Sequence, residues 1–245
     1  MGKDLRPADE TLDERAGIGP SRDFPNHRGI GAGPEVVYFM NPSSSINASI
    51  DLTRFAAPVV RLLAEPRLNE LGPGQPNLAV ETELRRLSPE NLLAGHQVVD
   101  SQMAAACLAG LWLHHDFLDE SHRLSQDGEG ASFSFWHGIM HRREPDYDNA
   151  KYWFRRVGNH PIYRGLLEEA RALGRQDPAA ESDASMRRLL EGRSWDAAGF
   201  VDRCEAASAG QPSIEPICRA IQWCEWRLLF DFCYRKAIGE LLSNA

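Results

Sequence analysis

From Ser88 onward the apolar residues of this chain recur at the spacing of an α-helix, and no stretch shows the sustained two-residue alternation of a half-buried strand. The motif SPEN, at residues 88–91, places a Ser cap before a Pro, a pair that starts helices. Turn-forming residues interrupt the pattern at six places: 125–131, Pro145, 158–161, 174–179, 192–195 and 208–213. We therefore predict an all-α fold, a single irregular helical bundle.

The first 45 residues contrast with this helical part, because they are rich in Gly, Pro and charged side chains. Such a composition predicts a flexible N-terminal arm, in which the apolar cluster at 33–42 could dock as an extended segment. The run 43–65 predicts a first helix with a Ser or Asn cap, which Pro58 should bend or restart. We divide the chain accordingly into an arm, residues 1–45, and an all-α globular domain, residues 46–245.

Composition excludes several classes of protein. Hydrophobic residues make up 42% of the 245 and charged residues 25%, as in a folded, soluble protein. A net charge of -8 argues against binding through nucleic-acid phosphates. The longest nearly apolar run, Met103–Leu113, is far shorter than the roughly 20 residues that span a bilayer, and the N-terminus has no apolar signal segment. The five cysteines are odd in number and form no CxxC pair, so we expect free thiols in a cytoplasmic protein. The charge and the short apolar runs predict neither nucleic acid nor membrane as a partner.

Residues 213–242 predict a long buried C-terminal helix. Apolar residues cover most of its circumference: Ile217, Cys218, Ile221, Cys224, Trp226, Leu228, Leu229, Phe232 and Cys233. A helix that is apolar on so many sides is normally central to its bundle. Glu225 lies within this run, where a carboxylate is costly unless it is paired. Either Glu225 meets an Arg or His of a neighbouring helix, or it points into a ligand-binding site.

Histidines are concentrated between residues 114 and 141, which hold five of the eight. We predict one helix over about 97–125, whose inward stripe runs through Ala104, Leu108, Leu111, His115, Leu118 and His122. Asp119 lies four residues after His115 and three before His122, so all three should share one side of the helix. A carboxylate so placed can fix the tautomer of either imidazole, and these three are therefore candidate acid–base residues.

The next predicted helix, about 132–144, presents His137, His141 and Glu144 on one side. Two histidines four residues apart can hold one ion, and two histidines with a carboxylate form the ligand set of non-haem iron and of some zinc sites. The zinc-protease signature is not met, because Gly138 stands where Glu should follow the first His. A divalent metal (Zn, Fe or Mn), a metal-free acid–base site and a structural polar seam between helices all stay open.

Arginines and aromatic residues near the histidines suit an anionic ligand. Arg142 or Arg156 could offer a bidentate guanidinium to a carboxylate or phosphate. Trp136, Tyr152 and Trp153 would supply stacking surface. The alternative is that the arginines pair with neighbouring carboxylates on a solvated face, and that the aromatic side chains belong to the core.

Four segments carry a resemblance: HHDFLDESH at 114–122, WHGIMHRRE at 136–144, REPDYDNAKYWFRRVGNHP at 143–161 and QWCEWRLLFDFC at 222–233. The chain resembles, over roughly 50–240, an uncharacterised group of bacterial and fungal helical proteins without an established activity. This resemblance implies a relative and no mechanism. Residues 145–157 also resemble the second helix of a tetratricopeptide repeat, but no 34-residue period recurs, so one helical hairpin of that style is implied.

Two classes of function follow. As an enzyme, the protein would hold a divalent metal through His137, His141 and Glu144, assisted by the acid–base candidates, and activate water or oxygen for reaction with an anionic small molecule. As an interaction module, it would present a helical groove to a peptide or protein partner, and its histidines would only organise the interior. Both require the two histidine-bearing helices to pack face to face.

Overall fold

Helices dominate the fold, as predicted. The structure is a computed structural model that describes residues 36–40, 47–65 and 67–240. In these ranges the elements are, in chain order, β1 (Val36–Met40), β2 (Asn47–Asp51), α1 (Ala57–Leu63), α2 (Leu78–Arg85), α3 (Pro89–Leu92), α4 (Ser101–His114), α5 (Leu118–Asp127), α6 (Ala131–Arg143), α7 (Tyr147–Val157), α8 (Tyr163–Gly174), α9 (Pro178–Ser182), α10 (Ala184–Glu191), α11 (Ala197–Ser208), a 3-10 helix (Pro212–Ile214) and α12 (Glu215–Ala237). The all-α prediction is confirmed.

The predicted first helix is wrong in its N-terminal half. Residues Asn47–Asp51 form β2, which pairs antiparallel with β1 so that Val36 lies opposite Asp51. The helix begins only at Ala57, with Pro58 in its first turn, where a missing N–H breaks no helical hydrogen bond. Of the predicted arm, only β1 lies within the described residues.

Helix α12 is the central element, as predicted for the C-terminal helix. It packs against α4, α8 and α11, and buried residues lie on nearly every side of it. Trp226 anchors it to α4, because its indole N–H donates to the carbonyl of Gly110 at 2.8 Å. Gly110 also permits close approach of α6, since a Cβ there would lie 2.7 Å from the Trp136 ring. The contact of α4, α6 and α12 forms the centre of the core.

One predicted helix, 97–125, is two helices in the structure, and the single-helix prediction is wrong. Helix α4 ends at His114 and α5 begins at Leu118, with Asp116 between them at a φ of 63°. Asp tolerates this left-handed conformation better than most residues. The buried side chain of Asp116 is held there by ion pairs with Arg143, which is buried, and with Arg67, which is partly exposed. The break turns the chain and starts α5 in a new direction.

Helices α6 and α7 form the predicted helical hairpin. The side chain of Asp146 caps α7 by accepting a hydrogen bond from the backbone N–H of Asn149 at 3.3 Å. The helical spacing of α7 predicts an apolar stripe of Tyr147, Ala150, Phe154 and Val157; the last three are buried, and Tyr147 packs partly buried against the core. This hairpin places the exposed half of α7 beside the histidines of α6.

Candidate metal centre

Three histidines from two helices converge in the structure. His122 comes from α5, and His137 and His141 come from successive turns of α6. Each offers a ring nitrogen, and the three nitrogens lie within 4.8 Å of one another. The ring centroid of His122 lies 4.6 Å from that of His137 and 5.3 Å from that of His141. The predicted packing of the two histidine-bearing helices is therefore confirmed at His122.

The environment of His137 and His141 keeps these two imidazoles neutral. His137 and His141 are buried, and His122 is half-buried. Burial, together with the neighbouring His141 and His122, lowers the pKa of His137 to about 3, since a second positive charge is unfavourable nearby. Burial also lowers the pKa of His141, although the carboxylate of Glu144 opposes this shift. At neutral pH the two buried rings thus present lone pairs, the form in which imidazole binds a metal.

Glu144, a predicted ligand, contacts one of the histidines instead of joining the three-nitrogen group. Its Oε2 lies 3.1 Å from Nδ1 of His141. A carboxylate only accepts hydrogen bonds, so Nδ1 carries the proton and Nε2 keeps the lone pair. The side-chain amide of Asn149 lies 3.1 Å from that Nε2. Glu144 therefore orients the imidazole of His141, as carboxylates commonly do behind metal ligands.

The outer side of the cluster is covered by α7. The Trp153 indole stacks on the His137 imidazole with ring centroids 3.8 Å apart and planes inclined by 12°. The guanidinium of Arg156 lies over the same indole, 5.2 Å from its centroid. The predicted ligand-binding residue Arg156 is thus one aromatic ring away from a candidate metal ligand.

The predicted grouping of His115, Asp119 and His122 is wrong. The break at Asp116 leaves His115 at the end of α4, where its Nδ1 lies 3.2 Å from the side-chain amide of Asn77. Burial lowers the pKa of His115 to about 4. Asp119 is exposed in the first turn of α5. Only His122 of these three belongs to the histidine cluster.

Three other predicted ligand-binding residues lie in the core. Arg142 and Glu225 are both fully buried, and the Arg142 Nη2 lies 2.5 Å from the Glu225 Oε2. Glu225 thus has the interhelical Arg partner that one of its two interpretations predicted. Trp136 is fully buried against α4 and α12, with its ring centroid 6.3 Å from that of Trp226. Among the described contacts of these three, none is to the histidine cluster.

A second polar cluster, centred on Asp116, was not predicted. Besides its two arginine partners, the carboxylate accepts a hydrogen bond from the amide of Asn69 at 2.8 Å. Gly74 packs directly against it, with a φ of 72°, and a Cβ there would lie 2.7 Å from the carboxyl carbon. Arg143 also donates to the carbonyls of Leu113, Gly72 and Pro73. Its sequence signal is an acidic residue that directly follows two histidines, on the flank of the predicted apolar stripe.

No protein-family model, curated protein or solved structure matches this chain. In the part of the chain that the structure describes, no helix combines the length and the apolar character that crossing a membrane requires. The likeness to bacterial and fungal helical proteins stays a prediction. What the protein does must therefore be argued from the chemistry of its histidine cluster.

Proposed function

We propose that His122, His137 and His141 bind one divalent metal ion, and that this ion activates water or oxygen for reaction with an anionic small molecule. The observation that carries the proposal is the convergence of three imidazole nitrogens within 4.8 Å. Catalytic zinc sites commonly use three protein ligands and leave a further position for water or substrate. A metal in such a position lowers the pKa of bound water towards neutrality.

The ligand set narrows the choice of metal. Imidazole suits zinc, iron, copper and nickel, whereas manganese prefers carboxylate oxygens. Glu144 contacts Nδ1 of His141 and is not part of the converging group, so the converging atoms are all nitrogen. Zinc and iron are therefore favoured over manganese among the metals predicted from the sequence. His122 is half-buried, so the cluster is accessible to solvent on the side of this residue.

The alternative function is a non-enzymatic interaction module whose histidines form a structural seam. One observation favours it: both ring nitrogens of His141 have protein partners, in Glu144 and Asn149. In this case the imidazoles stabilise the packing of α5, α6 and α7, and a metal is not required.

Metal analysis and thermal melts separate these alternatives. Untagged protein is analysed for co-purifying metal, and is then melted with zinc, iron or manganese and with a chelator. A metal that binds only the folded state stabilises it by about 2.7 kcal/mol at a hundredfold excess over its dissociation constant. Wild type should gain several degrees with the right metal, and His122→Ala and His141→Ala should gain little or nothing.

His160→Ala is the matched control, because His160 is a buried histidine that hydrogen-bonds Ser132 and Ile162 outside the cluster. This variant should be less stable but should respond to metal as wild type does. Identical wild-type melts in every condition, together with an absence of co-purifying metal, would favour the interaction module.

A further inference from the structure

One face of α7 differs from an ordinary solvent-exposed face. Asn149, Tyr152, Trp153 and Arg156 follow the spacing i, i+3, i+4 and i+7, which places them on one side of the helix. Asn149 reaches His141, and Trp153 stacks on His137. The same face that covers the histidines therefore continues outward into an aromatic and cationic surface.

The aromatic part of this surface is open to solvent. Tyr152 is 45% exposed, although large aromatic side chains are usually more buried. Its ring meets the indole of Trp153 edge to face, with centroids 5.5 Å apart. Trp153 itself is half-buried. An exposed ring beside a half-buried one offers a planar ligand a place to stack.

The cationic part is Arg156, whose guanidinium lies 5.2 Å from the Trp153 centroid and 5.9 Å from that of Tyr152. Lys151 on the same helix is paired with Asp202 at 2.6 Å. Arg156, by contrast, has neither a carboxylate partner nor a side-chain hydrogen bond among the described residues. A guanidinium stacked over a ring keeps its N–H donors available for a bidentate contact with a carboxylate.

We propose that Tyr152, Trp153 and Arg156 form the substrate subsite of the metal centre, and that its ligand is an aromatic carboxylate. The ring of such a ligand stacks against Tyr152, and its carboxylate receives the two-pronged hydrogen bond of Arg156. This subsite deepens the proposed function and rests on it for any reaction at the metal.

A cleft of about 530 Å³ lies between α8 and α10 but suits an anion less well. Its lining includes Glu181 and Glu191 beside the arginines. Of those arginines, Arg171 already donates to the carbonyls of Leu190 and Gly192, both at 2.7 Å. No aromatic ring lines it. The α7 surface has an available guanidinium and aromatic rings together.

Calorimetric titration with three small probes tests the subsite. Benzoate, benzamide and cyclohexanecarboxylate are titrated into chelator-treated full-length protein. Benzoate should bind best, because benzamide lacks the charge and cyclohexanecarboxylate lacks the planar ring. We expect Arg156→Gln to weaken benzoate binding roughly tenfold or more, the size expected for losing a charge-assisted hydrogen bond.

Arg155→Gln is the matched control, since Arg155 is the adjacent exposed arginine but lies over no described ring. It should change benzoate affinity less than about twofold, as expected for a screened surface charge. Equal losses in the two arginine variants, or no benzoate binding to wild type at 10 mM, a concentration that detects dissociation constants of order 1 mM, would overturn the subsite.

The titration is independent of the metal, so the two proposals fail separately. Metal-dependent melts without benzoate binding would refute the subsite and leave the metal centre intact. Benzoate binding that requires Arg156, in a protein that binds no metal, would refute the metal centre and keep an aromatic-carboxylate site on α7.

Discussion

Helix α6 buries polar side chains in two regions, and these regions differ in how their groups are paired. His137 and His141 meet His122 and α7. Their neighbours are other imidazoles and an indole, and His141 also contacts the Glu144 carboxylate and the Asn149 amide. The next two residues, Arg142 and Arg143, enter the core and form ion pairs with buried carboxylates. Adjacent positions on one helix therefore lead to two different electrostatic environments.

In the arginine region each cation already has an anion, so a ligand would have to displace a buried ion pair. In the histidine cluster the convergent groups are alike, and each is an electron-pair donor when neutral. Like donors satisfy one another poorly, whereas a divalent cation would satisfy all three at once. This contrast is the reason that we propose ligand binding for the histidines and a structural role for the arginines.

Breaking the arginine region should have the largest effect. Arg142→Met leaves the fully buried Glu225 without its cation, and breaking a buried pair typically costs about 3–5 kcal/mol. The free energy of unfolding, measured in urea, should fall by this amount. Arg142→Met/Glu225→Leu should recover most of the loss, because no buried charge is then left unpaired. A double variant as unstable as the single one would show that packing, and not charge, dominates.

Removing Glu144 tests the orienting role of its carboxylate in the histidine cluster. Glu144→Ala should weaken metal binding about 10- to 100-fold, the usual loss when the partner behind a metal-ligating histidine is removed. Competition with a chromophoric chelator measures this affinity. His122→Ala should lose more, because it removes a ligand atom. A larger loss of metal affinity in Glu144→Ala than in His122→Ala would contradict this, and would make Glu144 a metal ligand and His122 a residue beside the metal.

Acid should destabilise the protein even without a metal. Burial lowers the pKa of His160 to about 4, so the unfolded state binds the proton more tightly than the folded state. The stabilisation is complete above the unfolded pKa of about 6.5 and is lost as pH falls towards 4. From pH 7 to 5.5 this histidine alone should remove about 1 kcal/mol.

Thermal and urea unfolding of metal-free wild type and His160→Gln, across this pH range, measure the contribution. The variant should be less stable at pH 7, but its stability should fall less steeply with acid. Equal slopes would mean that His160 does not carry the linkage, and would assign acid sensitivity to the histidine cluster, where burial lowers the pKa of His137 to about 3.

Local patterns predicted the parts of the fold that depend on local contacts. The apolar circumference of α12 and the stripe of α7 follow directly from helical spacing. The break at Asp116 does not, because the apolar stripe continues through it and the residues that hold it lie far away in sequence, at Arg67 and Arg143. Strand β2 does alternate polar and apolar residues over Asn47–Asp51, but this short pattern was interpreted as the start of a capped helix.

The difference between contacts that are local in sequence and contacts between distant residues also explains which parts of the site were predicted. His137 and His141 are one helical turn apart, so their proximity is a local property. The residue that joins these two histidines as the third member of the cluster depends on how α5 packs against α6, and residue spacing within one helix cannot show this. His122 occupies that place, while Glu144 contacts Nδ1 of His141. Arg142 was interpreted as a ligand-binding residue because periodicity alone could not show that α6 is buried on almost every side.

The smallest effect is expected at Asp119, a predicted acid–base residue that the helix break separates from its intended partners. Its side chain is exposed in the first turn of α5, three residues before His122. At physiological salt Asp119→Asn should cost no more than about 0.5 kcal/mol, because the contribution of about 0.3–1 kcal/mol that a carboxylate near a helix N-terminus makes at low ionic strength is screened. Zinc affinity, measured by the same chelator competition, should stay within about twofold of wild type, as expected for a screened surface carboxylate. A tenfold loss of zinc affinity would instead show that this carboxylate reaches the metal or His122 in solution. Asp119 would then act on the cluster as Glu144 does, and the two carboxylates would no longer differ in role.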